Sequence, residues 1–160
     1  MTPRQCEIAA EAYTASLLAQ CGYDVSVQYG ANQPQYDLIA VSGKRILPVS
    51  VKGSQDGGWM LAVKYVGKGV AYHAAIDKWL SLQRDDLVYV FVQYQGATLK
   101  QAPRTYVARP PEIAAHMKTQ CNGRGHGALT EDWKRLHPKS KYSHKIPAAW
   151  EFTQSRIDTL

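Results

Sequence analysis

Three cysteines, Cys6, Cys21 and Cys121, are too few and too widely spaced for a disulfide framework, and their odd number leaves at least one unpaired. Reduced, partly buried thiols are expected. No apolar run approaches the roughly 20 residues that span a bilayer. The first ten residues, MTPRQCEIAA, also lack the charged-then-apolar layout of a signal peptide. The expectation is a soluble, cytoplasmic protein with no membrane partner. Internal repeats, low-complexity tracts and linkers are absent, as are a phosphate-cradling glycine motif and a Ser-His-Asp arrangement. The five histidines include no close pair at metal-binding helical spacing, and His73 reads as a surface or partly packed residue. These absences leave a small-molecule enzyme without an evident site.

What remains is 160 residues, 45% of them hydrophobic and 10% aromatic, enough for one domain with a real core. The net charge of +6 is unevenly placed: residues 1–100 carry nine Lys and Arg against eight Asp and Glu, residues 101–150 nine against three. A local excess of this kind suits a phosphate-facing surface; a solvated face that aids solubility is the plainer alternative.

The pattern predicts a helix over 4–21, with Thr2 and Pro3 as cap and first-turn residues, Gly22 past its end, and Ile8, Ala12, Ala15 and Leu18 as its apolar stripe. Glu11, three residues and about 300° from Ile8, falls on the border of that stripe. A short strand over 23–28 and a turn-rich stretch ending at Tyr36 follow. Residues 37–41 and 45–52 read as a hairpin around Ser42-Gly43, with Pro48 implying an edge position or a bulge. A further strand is expected over 59–66, and an amphipathic helix over 71–83 with Ala75, Ile76, Trp79 and Leu82 inward. Residues 87–94 form the most strand-like run and the expected buried centre of the sheet. A strand over 104–108, a short helix over 111–120 and mostly irregular chain over 121–145 complete the reading. Trp59, Trp79, Trp150 and Phe152 are assigned to packing.

Metal-assisted phosphodiester hydrolysis needs oxygen ligands for a divalent ion, a water of lowered pKa and a cation near the developing negative charge. Glu11, Asp37 and Lys52 are of the right types. With a two- or four-residue hairpin loop, antiparallel pairing puts Asp37 on the sheet face of Ser50 and Lys52; a three-residue loop puts it on the other. Each residue also has a plain reading: Glu11 as a solvated helix residue, Asp37 as the close of the turn after Pro34, Lys52 as an edge-protecting lysine.

The run from Glu11 to the closing Gly22-Tyr23 pair, then Tyr36-Asp37-Leu38-Ile39-Ala40, then Val49-Ser50-Val51-Lys52-Gly53-Ser54 resembles the PD-(D/E)XK nuclease superfamily, over about residues 5–95. The resemblance implies an α/β fold: a mixed central sheet flanked by helices, with a helix–three strands–helix–strand core and here a basic, loop-rich extension over about 100–160. It implies a Mg²⁺- or Mn²⁺-dependent endonuclease acting on nucleic acid, with DNA favoured, and it allows a homodimer. Carried over position by position, Glu11 and Asp37 become metal ligands, Val51 a backbone-carbonyl ligand, and Lys52 the residue that orients or activates the attacking water. Ser50 stands where the family carries Asp, Glu or sometimes Gln. Glu7, one turn before Glu11, or Asp56 could supply the missing charge, or a bound water the missing ligand. The departure keeps open a catalytically inactive module that binds nucleic acid or a protein.

Cys121 and His126 lack a second ligand pair for zinc, so the glycines around Arg124 read instead as a loop that approaches phosphate. Trp133 and Tyr142 interleave with Lys134, Arg135, Lys139, Lys141 and Lys145, a mix suited to backbone contacts and base stacking, or else to a surface loop whose aromatics tuck into the core.

Overall fold

The computed structural model describes residues 1–28 and 35–160, so most of the turn-rich stretch, including Pro34, lies outside the described residues. Helix α1 (Pro3–Gln20) starts as its sequence dictates: the Gln5 N–H donates to Thr2 Oγ1 at 3.2 Å and the Thr2 N–H to Gln5 Oε1 at 2.8 Å, closing a capping box around Pro3. The strands β1 (Asp24–Val27), β2 (Leu38–Ser42) and β3 (Arg45–Ser54) form an antiparallel meander. Ser42 pairs with Arg45, so the loop is the two residues Gly43 and Lys44, and Gly43 adopts φ +60°, a conformation that favours glycine.

Residues 59–66 do not form the single strand expected of them. They divide into β4 (Gly58–Met60) and a 3-10 turn (Val63–Tyr65), and helix α2 (Tyr72–Leu80) follows. Then β5 (Val88–Gln93) lies parallel beside β3, from Val49↔Val88 to Ser54↔Gln93, and β6 (Arg104–Ala108) lies antiparallel beside β5. The mixed five-stranded sheet has the order β1-β2-β3-β5-β6. The C-terminal third is more ordered than its composition suggests: α3 (Pro110–Thr119), β7 (Ala128–Thr130), which pairs with β4 in a second small sheet, α4 (Trp133–Leu136) and α5 (Gln154–Asp158). Pro48 avoids conflict with the sheet because β3 pairs with β5 only from Val49 onward. Proline therefore sits on an interior strand, but where that strand has a single neighbour.

All six residues of β5 are buried, as a strand covered on both faces requires. Val88, Val90 and Val92 face a core shared with Ala10 and Leu18 of α1 and Ile157 of α5. Tyr89 and Phe91 face the other, where Trp59, Ile76, Trp79, Ile113, Met117 and Trp150 pack. Trp59, Trp79, Trp150 and Phe152 are packing residues. Leu82 lies past the end of α2 and is exposed, so that helix buries only Ala75, Ile76 and Trp79 of the expected set. The three cysteines are free thiols, two buried and Cys21 half-buried. Among the described residues no helix is long and apolar enough to cross a membrane.

The face of α1 is rotated from the expected one. Cys6, Ala10, Thr14 and Leu18 are buried, whereas Ile8 and Ala12 are exposed and Ala15 is half-buried. The reason is close approach to β3: a Cβ at Gly53 would lie 2.8 Å from the Cys6 carbonyl oxygen and 3.0 Å from the Ala10 Cβ. Small residues let the helix backbone sit on the strand, and a bulkier face would hold it off. Gly53→Ala should accordingly destabilise the fold by about 1–3 kcal/mol through overpacking, read as a lower urea midpoint at unchanged denaturant slope.

Candidate active site

Asp37 sits one residue before β2, next to the Leu38↔Val49 pair, and so faces Ser50. Its Oδ2 accepts the Val51 N–H at 2.6 Å and the Ser50 hydroxyl at 3.3 Å, and the Lys52 ammonium stands 3.9 Å away. The two-residue turn thus produces the face sharing that its parity demands. The aspartate side chain is 15% exposed and the lysine 42%, so the pair opens to solvent on the lysine side. Behind it the buried Trp59 donates its indole N–H to the Lys52 carbonyl at 2.7 Å and packs on Phe91, which fixes the lysine's backbone.

Glu11 approaches from the other side of the sheet. Helix α1 covers the valine face, and Glu11 is half-buried with no hydrogen bond or ion pair among the described residues. Burial, then repulsion from Asp37 and Glu7, pushes the Glu11 carboxyl above its ordinary range, while Arg4 and Lys52 oppose the shift. The carboxylates are therefore electrostatic neighbours, but the residue of α1 that lines the cavity around Asp37, Ser50 and Lys52 is Glu7. The Glu7 Oε2 accepts from Arg4 at 2.8 Å. Asp56 takes another role: its Oδ1 accepts the Ser54 hydroxyl at 2.8 Å and the Gly58 N–H at 3.4 Å, tying the turn into β4.

The cavity of about 540 Å³ contains residues that sequence reasoning passed over: Lys64 and Tyr65 from the 3-10 turn, Gln83 past α2, and Tyr89 of β5. Tyr89 pairs with Ser50 across the parallel strands and donates to Gln83 Oε1 at 2.7 Å. Burial pushes its hydroxyl up to about 12, against the Ser50 hydroxyl and with Asp37. Ser50 itself is buried, so its position is a tight fit between Asp37 and Tyr89. Lys64 and Tyr65 lay in a stretch read as a strand, where a neighbouring lysine and tyrosine carry no motif.

The basic segment is folded around two hubs. Glu131 is buried; it accepts from Arg104 Nε at 2.5 Å, Tyr106 Oη at 2.7 Å and Arg135 Nη1 at 3.2 Å, and the two guanidiniums and the Tyr106 hydroxyl hold its carboxyl below the usual range despite burial. Trp133 meets His126 and Tyr142 edge-on, packs at a tilt against His137 and His144, and donates to Ser140 Oγ at 2.8 Å. It is thus a packing centre. Lys145 pairs with Asp132 at 2.9 Å, Lys134 donates to the Ser140 carbonyl, and Arg124 lies over the Tyr72 and Tyr142 rings at 5.3 and 5.9 Å. Lys141 lies 5.2 Å from the Tyr142 ring centroid. Of the six expected phosphate contacts, Arg124, Lys134, Lys139 and Lys141 carry no ion pair among the described residues, and Arg135 and Lys145 do. His73 meets the Gly123 carbonyl at 2.9 Å, and the Cys121 N–H faces His144 Nδ1 at 3.5 Å.

No family model and no curated protein matches the chain. Its chemistry has to be argued from the site. Among the described residues no group of three or more His, Cys, Asp and Glu is placed to hold a metal. The donor set at Asp37 is smaller: its Oδ1, which has no partner among the described residues, the nearby Glu11 carboxylate, and the Val51 main chain, whose N–H is already given to Asp37. Two carboxylates fit Mg²⁺, which commonly keeps several waters.

The buried Glu131 hub carries its own test. Glu131→Ala would leave Arg104 and Tyr106 without their shared acceptor, and a loss of about 2–4 kcal/mol is expected in chemical denaturation, with Glu131→Gln losing less.

Proposed function

We propose that the chain is a Mg²⁺- or Mn²⁺-dependent endonuclease of the PD-(D/E)XK type, acting on nucleic acid and on DNA in preference to RNA. The observation that carries this reading is the contact set of Asp37 with Ser50, the Val51 N–H and Lys52, beside the half-buried Glu11. The order of helix, three-stranded meander, helix and parallel strand supports it as the fold-level counterpart.

Asp37 and Glu11 are the residues that would hold the ion, which supplies a water of lowered pKa and charge neutralisation at the scissile phosphate when bound. The repulsion that Glu11 feels from Asp37 and Glu7 is one that a bound cation would relieve. The Val51 N–H holds Asp37 in one orientation, and Lys52, anchored through Trp59, presents an ammonium to the attacking water or the phosphate oxygens. Ser50 contributes a neutral hydroxyl where a third carboxylate would strengthen the site, so weak ion binding and slow turnover are expected. That same serine favours the second reading, a catalytically inactive module that keeps the fold and its basic surface for binding nucleic acid or a protein.

Nicking of supercoiled plasmid with Mg²⁺ or Mn²⁺, stopped by EDTA, tests the first reading. Asp37→Ala and Lys52→Ala should each lower the rate about a hundredfold or more, the loss of a few kcal/mol of transition-state stabilisation. Ser50→Glu should raise ion affinity if the longer chain clears Tyr89. No cleavage of any DNA or RNA form, no Mn²⁺ binding by calorimetry and no gain from Ser50→Glu would hand the protein to the second reading.

The cations without ion pairs mark the expected phosphate track. Replacing Lys134, Lys139 and Lys141 together should flatten the dependence of log affinity on log salt by about two to three units, at about 0.9 per phosphate contact. Arg135→Ala should act mainly on stability, because its partner is the buried Glu131. An unchanged slope in a folded variant would return the segment to a plain solvated face.

A further inference from the structure

The cavity at Asp37 does not end there. A second hollow of about 480 Å³ continues from it, and the two share Lys52, Lys64, Tyr65, Gln83 and Tyr89. Its inner end is apolar and aromatic, closed by Leu61 and Trp79, both buried. Its mouth carries Met60, 80% exposed, and Val63, 39% exposed.

Tyr65 is half-buried: part of its ring packs on the core, and the Lys64 ammonium lies 5.0 Å from the ring centroid. Lys64 has no ion pair among the described residues, while Lys52 stands by Asp37. A cation held only by a half-exposed ring is weakly held, and a phosphate oxygen is a stronger partner for it. The ring face it leaves then lies open to a flat aromatic group.

Resting on the nuclease reading, we infer that Lys64 and Tyr65 form a nucleotide subsite next to the Asp37–Lys52 pair, which takes a nucleobase outside any duplex. Lys64 takes the phosphate beside the one at Lys52, and the base enters the hollow against Tyr65 with Met60 and Val63 on its edge. In a duplex the bases are stacked inward and show only their edges, so a recessed aromatic face is reached by an unpaired or splayed nucleotide. The substrate class is therefore nucleic acid that is single-stranded at the cut: a free strand, a flap or a branch.

Fluorescence anisotropy in EDTA reads this apart from cleavage, with a labelled 12-nucleotide single strand, the matching duplex and an abasic strand of equal length as probes. The natural chain should bind the base-bearing strand about tenfold tighter than the duplex at equal salt. Tyr65→Leu, which keeps apolar packing without an aromatic face, should lower affinity for the base-bearing strand roughly five- to hundredfold, the range of one base–aromatic stack. It should leave the abasic strand unchanged, and Tyr65→Phe should behave as the natural chain. Lys64→Ala should weaken both strands and lower the salt slope by about one. Equal or tighter binding of duplex, no binding of any strand, or a folded Tyr65→Leu that binds the base-bearing strand normally would overturn the subsite. Absence of metal-dependent cleavage alongside Tyr65-dependent strand binding would instead overturn the nuclease reading and leave the subsite standing.

Discussion

The parallel pairing of β3 with β5 is the constraint from which the rest of the arrangement follows. Antiparallel neighbours close with a two-residue turn, as β2 and β3 do at Gly43 and Lys44, but a parallel neighbour requires the chain to leave and return over a longer path. Residues 55–87 are that path, and they bring β4, the Val63–Tyr65 turn and α2 over one face of the pair. Both strands are thereby covered on two sides, α1 and α5 against the valines and the crossover against Tyr89 and Phe91. The groove beside Lys52 is a product of this crossover, because its outer wall is the connection itself.

How far the sequence could be read depends on whether a local rule decided each feature. The hairpin was legible from a glycine at the turn and a side-chain period of two, but its parity was left open between loop lengths; the two-residue loop Gly43-Lys44 decides it and puts Asp37 beside Ser50 and Lys52. The Thr2 cap and Pro3 first turn of α1 and the two-sided burial of β5 were legible from local rules of the same kind, whereas the return bond from Gln5 that completes the capping box was not read. The face of α1 was not, because hydrophobicity ranks Ile8 above Cys6 and Ala10, whereas packing onto Gly53 rewards small size. Glu131 was not legible either. Its partners Arg104 and Tyr106 lie 27 and 25 residues away, and nothing in a lone glutamate among basic residues announces a buried acceptor.

That buried acceptor changes what the basic third of the chain is. All three acidic residues of 101–150 are engaged: Glu112 with Arg156, Glu131 with Arg104 and Arg135, and Asp132 with Lys145. Glu131 and Glu112 thereby tie the segment to β6 and α5, while Asp132 closes a pair within it. With Trp133 packed among three histidines, the remaining cations are carried on a shaped surface. His144, for example, is lowered to about 4 by burial and by His116, His126 and His137, so it stays neutral near pH 7 and adds nothing to the field.

The neutral residue at position 50 acquires its meaning from the same charge balance. Among the groups lining the cavity, Glu7 and Asp37 face Lys52 and Lys64, two against two. A carboxylate in place of Ser50 would make the cavity negative until a cation arrived, and it would have to be accommodated in the buried space beside Tyr89 and the Asp37 oxygen. With serine, the burial and the repulsion that push Glu11 up remain, but the two lysines are free of a third acidic neighbour and would be open to a polyanion without a bound ion. On the proposed nuclease reading, serine rather than a carboxylate at this position would weaken the hold on a divalent ion and strengthen the initial hold on phosphate. A site of that balance would gain most from additional contacts to a bound strand, and the groove running from Lys52 past Lys64 and Tyr65 has room for them.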